Sequence, residues 1–315
     1  MKLDVVLVFI FAIIIGIGLY FLYPLYFGES QQFMIQAANF SEFNDNSPLV
    51  DSDWSGGMLF YDNIRYSSNE ISYSLDSRCD QNQISDAREA FQTIDKLTVL
   101  AFSENDNGEI FVSCPEEGER SKQDAMGGHY IAGEGGPSSV INTSNYYLIL
   151  NGSIILYTDN KCDSPIIATH ELLHALGFKH SSNKRSIMYN VSNCNQQISG
   201  DIIDRINNLY QDPSLADLTF VGGSASKTGK YVNFKIEVLN AGLKKSNDFK
   251  LKLFINGKET GKYNIESLVP GSGKILKVDN LFYVGNAQNL EFVVDDENNI
   301  NEINEDNNQL AMAIG

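Results

Sequence analysis

Three of the chain's four histidines fall in one stretch, HELLHALGFKHSSNKRSIMY, which runs from His170 to Tyr189. His170 and His174 are four positions apart, so on a helix they share a face and can offer two imidazoles to one metal ion. Glu171 lies beside the first of them, close enough to reach a water on that ion. Gly177 follows three residues after His174, where a glycine can take positive φ and stop the helix. The chain can then turn back and bring His180 in as a third nitrogen. Three neutral imidazoles leave the fourth corner of a tetrahedral zinc ion open, which separates a catalytic site from a closed structural one. Such a corner suits hydrolysis. Zinc lowers the pKa of its water to about 7, and a carboxylate at Glu171 can take the proton as a peptide carbonyl is attacked. A bare His-x-x-x-His pair carries little information; the Glu, the Gly and the third His at their set spacing narrow it sharply.

These residues resemble a known family. HELLHALGFKHS followed by SIMY is similar to the metzincin pattern H-E-x-x-H-x-x-G-x-x-H with its Met-turn. Ser181 after the third histidine resembles the matrixin branch. The resemblance implies a zinc endopeptidase acting on protein or peptide substrates. In it His170, His174 and His180 hold one zinc, Glu171 is the general base, and Met188 is the hydrophobic floor beneath the histidines. It also implies an α+β domain in which a twisted, mostly parallel sheet carries the active-site helix and an edge strand receives substrate in extended form. GSIILYTD is the candidate edge. The specific match runs from His170 to Tyr189, and a looser one from about Trp54 to Tyr210. There are departures. No cysteine lies between Phe27 and Trp54 to cap the metal, and His129 is the one histidine left, so a second, structural zinc has no ligand set. His129 reads as an ordinary loop residue. Tyr189 stands one residue after Met188 and not two, as in the astacin branch, so it is not assigned as a ligand. Acidic loops make calcium a second candidate ion, without a nameable set of ligands.

The elements that must position this site can be read from periodicity. NEISYSLD alternates like a strand, and in SDAREAFQTIDKL the residues Ala87, Phe91, Ile94 and Leu97 recur at helical spacing. TVLAFSE and GEIFVSC are short β-rich runs separated by the turn-forming NDNG. GGHYIAGEGGPSS reads as a glycine-rich loop, and Asn151-Gly152 within NYYLILNGSIILYTD reads as a hairpin turn. SPIIATHELLHALGF is the active-site helix, with Ser164 and Pro165 placed to start it. SGDIIDRINNLYQ is a later helix with Ile202, Ile203, Ile206 and Leu209 on one face. The first domain is thus expected over residues 53–213.

From about Ala216 no strong helical pattern returns. DLTFVGG, YVNFKIEVLNAG, FKLKLFING, KILKVDNL and NLEFVVD are β-rich runs separated by turn residues, the spacing of a small all-β sandwich. Residues 217–315 are similar to the CARDB domain, an immunoglobulin-like sandwich, on IEVLNAG and on the closing VDDENNINEINEDNN. The resemblance implies binding of a surface partner or substrate, with a passive spacer as the alternative. The acidic close could bind calcium or form a solvated turn and a final strand.

The N-terminus sets the compartment. From Val5 to Phe27 there is no charged residue. At about 1.5 Å per residue this run can span a hydrocarbon core of about 30 Å as a transmembrane helix. It is longer than the apolar region of a signal peptide, and FGESQQF offers no A-x-A-like cleavage site. A retained single-pass anchor over residues 1–27 is therefore expected, with a secreted protein as the outcome if the segment is cut. Lys2 precedes the run and Glu29, Glu42 and Asp45 follow it, which places everything after Phe27 outside the cytoplasm. Residues 28–52 are polar and read as a stalk. All four cysteines, Cys79, Cys114, Cys162 and Cys194, lie beyond the run, as expected of two disulfides in an oxidising compartment. Three connectivities are open. Cys79–Cys114 with Cys162–Cys194 is preferred because the second bridge brackets the histidine stretch. The net charge of −17 argues against nucleic acid as a partner. The rivals of the protease reading are a surface adhesion protein with a non-catalytic metal site and, with less support, a zinc amidase of the cell wall.

Overall fold

The computed structural model of the chain describes residues 32–38, 42–43, 57–115, 131–157 and 162–314. The expected anchor and His129 lie outside them, and among the described residues no helix is long and apolar enough to cross a membrane. Two strands come first, β1 (Gln32–Ala38) and β2 (Glu42–Phe43). β3 (Ile64–Tyr66) and β4 (Glu70–Leu75) then lead into α1 (Gln81–Leu97). Helix α1 opens on a capping box: the Asp80 carboxylate accepts from the N–H groups of Asn82 and Gln83, and the Gln83 side chain accepts from the Asp80 N–H. Its Ala87, Ala90, Phe91 and Ile94 are buried at helical spacing. The first domain continues with β5 (Ala101–Glu104), β6 (Ile110–Ser113), β7 (Gly133–Asn142), β8 (Tyr147–Leu156), α2 (Ile166–Ala175) and α3 (Gly200–Leu209).

Strand order in its sheet is β2-β7-β8-β6-β4-β5, with β3 also paired to β8. β5, β4, β6 and β8 pair in parallel, and β7 runs antiparallel to β8. Phe91 and Ile94 of α1, Ile110 and Ile154 of the sheet, and Leu172 and Leu173 of α2 share one core. That core fixes α2 against the sheet. Cys79–Cys114 and Cys162–Cys194 are disulfide-bonded, the preferred pairing.

Three sequence expectations are corrected here. Asn151-Gly152 is no hairpin turn: both residues lie inside β8, whose Gly152 pairs with Ile110 on one side and Pro137 on the other. A Cβ at Gly152 would stand 2.4 Å from the Tyr66 hydroxyl, so the glycine answers a packing need and not a turn. The hairpin falls between Asn142 and Tyr147. GSIILYTD is accordingly not the edge: its residues 152–156 belong to β8, flanked by β6 and β7, and its last two residues lie outside the described ones. The glycine-rich segment before it, read as a loop, supplies the edge strand itself from Gly133 onward.

The second domain has β9 (Leu218–Thr228), β10 (Tyr231–Asn240), β11 (Phe249–Ile255), β12 (Lys258–Ile265), β13 (Gly273–Phe282), β14 (Asn289–Val294) and β15 (Gln309–Ala313). They form two four-stranded sheets, β1-β13-β10-β9 and β12-β11-β14-β15. Ile236, Leu251, Leu253, Val278 and Phe292 are buried between them. The largely exposed β12 carries no strong hydrophobic alternation, which is why sequence patterning passed over it, and β15 is the final strand expected after the acidic close. Within the segment read as a stalk, β1 pairs antiparallel with β13 over Gln32–Ala38. The two domains meet at the β7–β8 hairpin, where Tyr146 and Leu148 pack on Leu243 and the Thr143 hydroxyl donates to the Ala241 carbonyl at 2.8 Å.

Candidate active site

Helix α2 is apolar on almost every face, so it sits inside the domain and carries its polar residues in with it. His170, Glu171 and His174 are only 5%, 6% and 7% exposed. The helix ends where Gly177 takes φ +99°, with its N–H donating to the His174 carbonyl at 2.9 Å. The chain then reverses. Phe60 donates its N–H to the Gly177 carbonyl and Lys179 donates to Met58, both at 2.9 Å, so the segment around Leu59 pins the turn that brings His180 back.

The three histidines converge. Their Nε2 atoms stand 3.0 Å (His170–His174), 3.1 Å (His174–His180) and 3.2 Å (His170–His180) apart. Among the described residues this is the one group of three or more His, Cys, Asp or Glu side chains drawn so close together. Nδ1 of His170 donates to the Ile187 carbonyl at 2.6 Å, and Nδ1 of His174 donates to the Phe178 carbonyl at 2.7 Å. A carbonyl can only accept, so both protons sit on Nδ1 and both Nε2 atoms hold bare lone pairs. Two lone pairs 3.0 Å apart cannot bond one another. The spacing instead suits nitrogens sharing a tetrahedral ion at about 2.0–2.1 Å. The donor set fits zinc.

Burial pushes His170 down to about 4 and His174 to about 3, so both rings are neutral and ready to ligate at neutral pH. Burial first, and the Glu134 carboxylate second, push Glu171 up to about 8. Tyr157 is held near 12 by burial and by its hydrogen bond to Glu134. Glu134, Tyr157 and Phe60, whose ring stacks on His174 at 6.2 Å, had no sequence signal: each is a single residue far from the motif.

Met188 is fully buried in the same core, and its carbonyl accepts from Ser181 N–H at 2.6 Å. The Ile187 N–H donates to the Gln197 carbonyl at 2.8 Å, which fixes the turn whose Ile187 carbonyl supports His170. Cys162–Cys194 ties the start of α2 to the chain beyond this turn. Strand β7 passes directly over Glu171. A Cβ at Gly133 would lie 2.9 Å from the Glu171 carboxylate, and one at Gly135 would lie 2.3 Å from its backbone carbonyl. Beyond β7 lies only β2, opposite Val140 and Ile141, so the outer edge from Gly133 to Ser139 has no partner strand among the described residues.

A helix with two imidazoles and a carboxylate, a third imidazole returning after it, and an antiparallel edge strand above make the first domain an α+β domain with three side chains that could hold one metal ion. Residues 63–211 match the family model for Matrixin and residues 215–312 that for CARDB, so the chain carries a matrixin domain followed by a CARDB domain. It is 43% identical over 61 residues to Stromelysin-2 of Rattus norvegicus, a match covering 18% of this chain and 13% of that protein's length. The CARDB domain of a Pyrococcus furiosus protein, described as in complex with di-metal ions, is 25% identical. It covers 32% of this chain and 88% of that one, at a TM-score of 0.29. A domain of a putative cell surface protein from Methanosarcina acetivorans is 26% identical over 32% of this chain and 91% of that one, also at 0.29.

Proposed function

We propose that this chain is a membrane-anchored zinc endopeptidase whose two domains work outside the cytoplasm. The observation that carries the reading is the meeting of three Nε2 atoms within 3.2 Å beside the buried carboxylate of Glu171. Zinc held by His170, His174 and His180 supplies Lewis acidity, which makes water a nucleophile near neutral pH and polarises a peptide carbonyl. Glu171 accepts the proton of the attacking water and passes it to the departing amide nitrogen. The unpaired edge of β7 binds the peptide in extended form by main-chain hydrogen bonds, directly beside Glu171. Met188, fully buried in the core beside α2, is the floor beneath the imidazoles. The uncharged run Val5–Phe27 anchors the chain, and two disulfides suit an oxidising exterior.

Glu171→Gln keeps the shape of the side chain and removes the base. Peptide hydrolysis should fall by about 10²–10⁴-fold while one zinc per chain stays bound, measured by turnover of an unstructured protein and by metal analysis. Undiminished hydrolysis in the variant removes Glu171 from the reaction. Zinc binding without hydrolysis in either protein favours an adhesion module with a silent metal site.

A further inference from the structure

The two ends of the sandwich differ in chemistry. At the junction end, β13 begins at Gly273. At the far end it finishes at Phe282 and enters the loop Phe282-Tyr283-Val284-Gly285, reversed at Gly285 with φ +132°. Val284 is 77% exposed and Phe282 46%. The ring of Tyr231 lies 5.8 Å from that of Phe282, so the apolar surface extends onto the neighbouring strand. Single exposed apolar residues are ordinary, but a contiguous apolar tip is not. Lysines surround it. The Lys230 carbonyl accepts from Tyr283 N–H at 2.9 Å, and Lys227 Nζ donates to Asn286 at 2.6 Å. Lys258 opens β12 just after the Asn256-Gly257 turn, whose Asn256 side chain donates to the Asn286 carbonyl at 2.8 Å. The acids nearby are Glu259, Asp279 and Glu291, which lies opposite Phe254 as Glu259 does, and Asp279 is already paired with Lys277 at 2.6 Å. On a chain of net charge −17, Lys227, Lys230 and Lys258 form a local cluster of positive charge at this end.

The path of the chain gives the tip its partner. β1 enters at this end, with Gln32 opposite Asp279 and Ala38 opposite Gly273. Residues 28–31 alone separate Gln32 from the uncharged run that ends at Phe27. Fully extended, those residues reach at most about 14 Å. We propose that the loop Phe282–Val284, ringed by Lys227, Lys230 and Lys258, is a membrane-docking surface that seats in the headgroup layer of the bilayer holding the anchor. This rests on the anchor reading of Val5–Phe27. Aromatic and aliphatic side chains with flanking lysines are the composition that enters such an interface. The consequence is a stand-off. The strands of the sandwich rise about 3.4 Å per residue, so β13 holds the junction end, and the protease domain beyond it, about 30 Å from the lipid.

The test uses the full chain in vesicles of phosphatidylcholine and phosphatidylglycerol. Val284→Cys and Val269→Cys are each labelled with an environment-sensitive fluorophore. Val269 is 52% exposed and lies at the junction end, so it reports an exposed valine away from lipid. The described cysteines are all disulfide-bonded, which leaves the new thiol for the label. Lipids carrying a nitroxide near the headgroup should quench the label at 284 several-fold more than that at 269. Phe282→Ser in the 284-labelled chain should weaken the quenching. A chain that floats with alkaline-washed vesicles but shows equal quenching at both positions overturns the docking and leaves the anchor standing. A chain that does not float overturns both.

Discussion

Burial sets proton affinities in both domains, lowering them for imidazoles and raising them for carboxyls. His170 and His174 are thereby kept neutral as ligands, and Glu171 holds its proton unless positive charge comes close. The same physics acts at Glu302, where β9 begins. Its carboxylate accepts from the Leu218 N–H and from Asn308 Nδ2, yet burial, aided by Glu305 and Asp295, pushes it up to about 7. The unfolded chain gives up this proton near 4.5, whereas the folded chain keeps it to about 7. Between those values folding holds a proton that unfolding releases, so stability falls as pH rises through the window and stays reduced above it. Glu302→Gln retains an acceptor for Leu218 without a charge. It should flatten the dependence, with a gain on the order of 2 kcal/mol at pH 8 and little change at pH 4.5. Urea unfolding across that range reads it directly. Parallel pH profiles for the two proteins would show that Glu302 is not the titrating group.

At the scale of the element, the decisive contact is that of β7 with α2. Gly135 has no side chain because the Glu171 carbonyl fills the place one would take, 2.3 Å from an ideal Cβ. The obstacle is backbone and cannot turn aside. Gly135→Ala must push strand from helix, at a cost of about 2–4 kcal/mol. It should also weaken zinc binding and hydrolysis, since α2 carries two of the three imidazoles. Gly222→Ala on β9 meets nothing within 4 Å and should stay within about 0.5 kcal/mol of the parent. Equal stability of the two variants would rule out the close approach. This contact also explains what the sequence could and could not convey. The reaction requires certain side chains at certain intervals, so His170, Glu171, His174 and His180 were legible from spacing, while Met188 was legible only through the family resemblance. α1 and the parallel strands were legible from periodicity. The edge strand was hidden because Gly133, Gly135 and Gly152 imitate a loop and a turn. Their reason lies in neighbours distant in sequence, the Glu171 backbone and the Tyr66 hydroxyl.

For the whole molecule, the N-terminal segment binds what the domain boundaries divide. β1 completes a sheet of the second domain, while β2 touches the edge strand of the first. Without β1, β13 becomes an edge with a row of unpaired N–H and C=O groups along most of its length. Lys274 and Lys277 on β13 oppose some strand-to-strand pairing, but they cannot satisfy the backbone. Deleting Gln32–Ala38 and joining the flanking residues with a glycine-serine linker should therefore lower the melting temperature of the second domain. It should also make the protein self-associate with rising concentration, as one copy's β13 seeks another's. The matrixin domain has its own core and both disulfides, so its capacity to bind zinc at the three histidines should persist. Calorimetry, light scattering and metal analysis on the same samples separate these effects. If the shortened chain melts as the parent does and scatters as a monomer, β1 contributes nothing to the sheet. A selective loss in the sandwich would mean that Gln32–Ala38, although it precedes the first domain in sequence, is part of the second domain's fold.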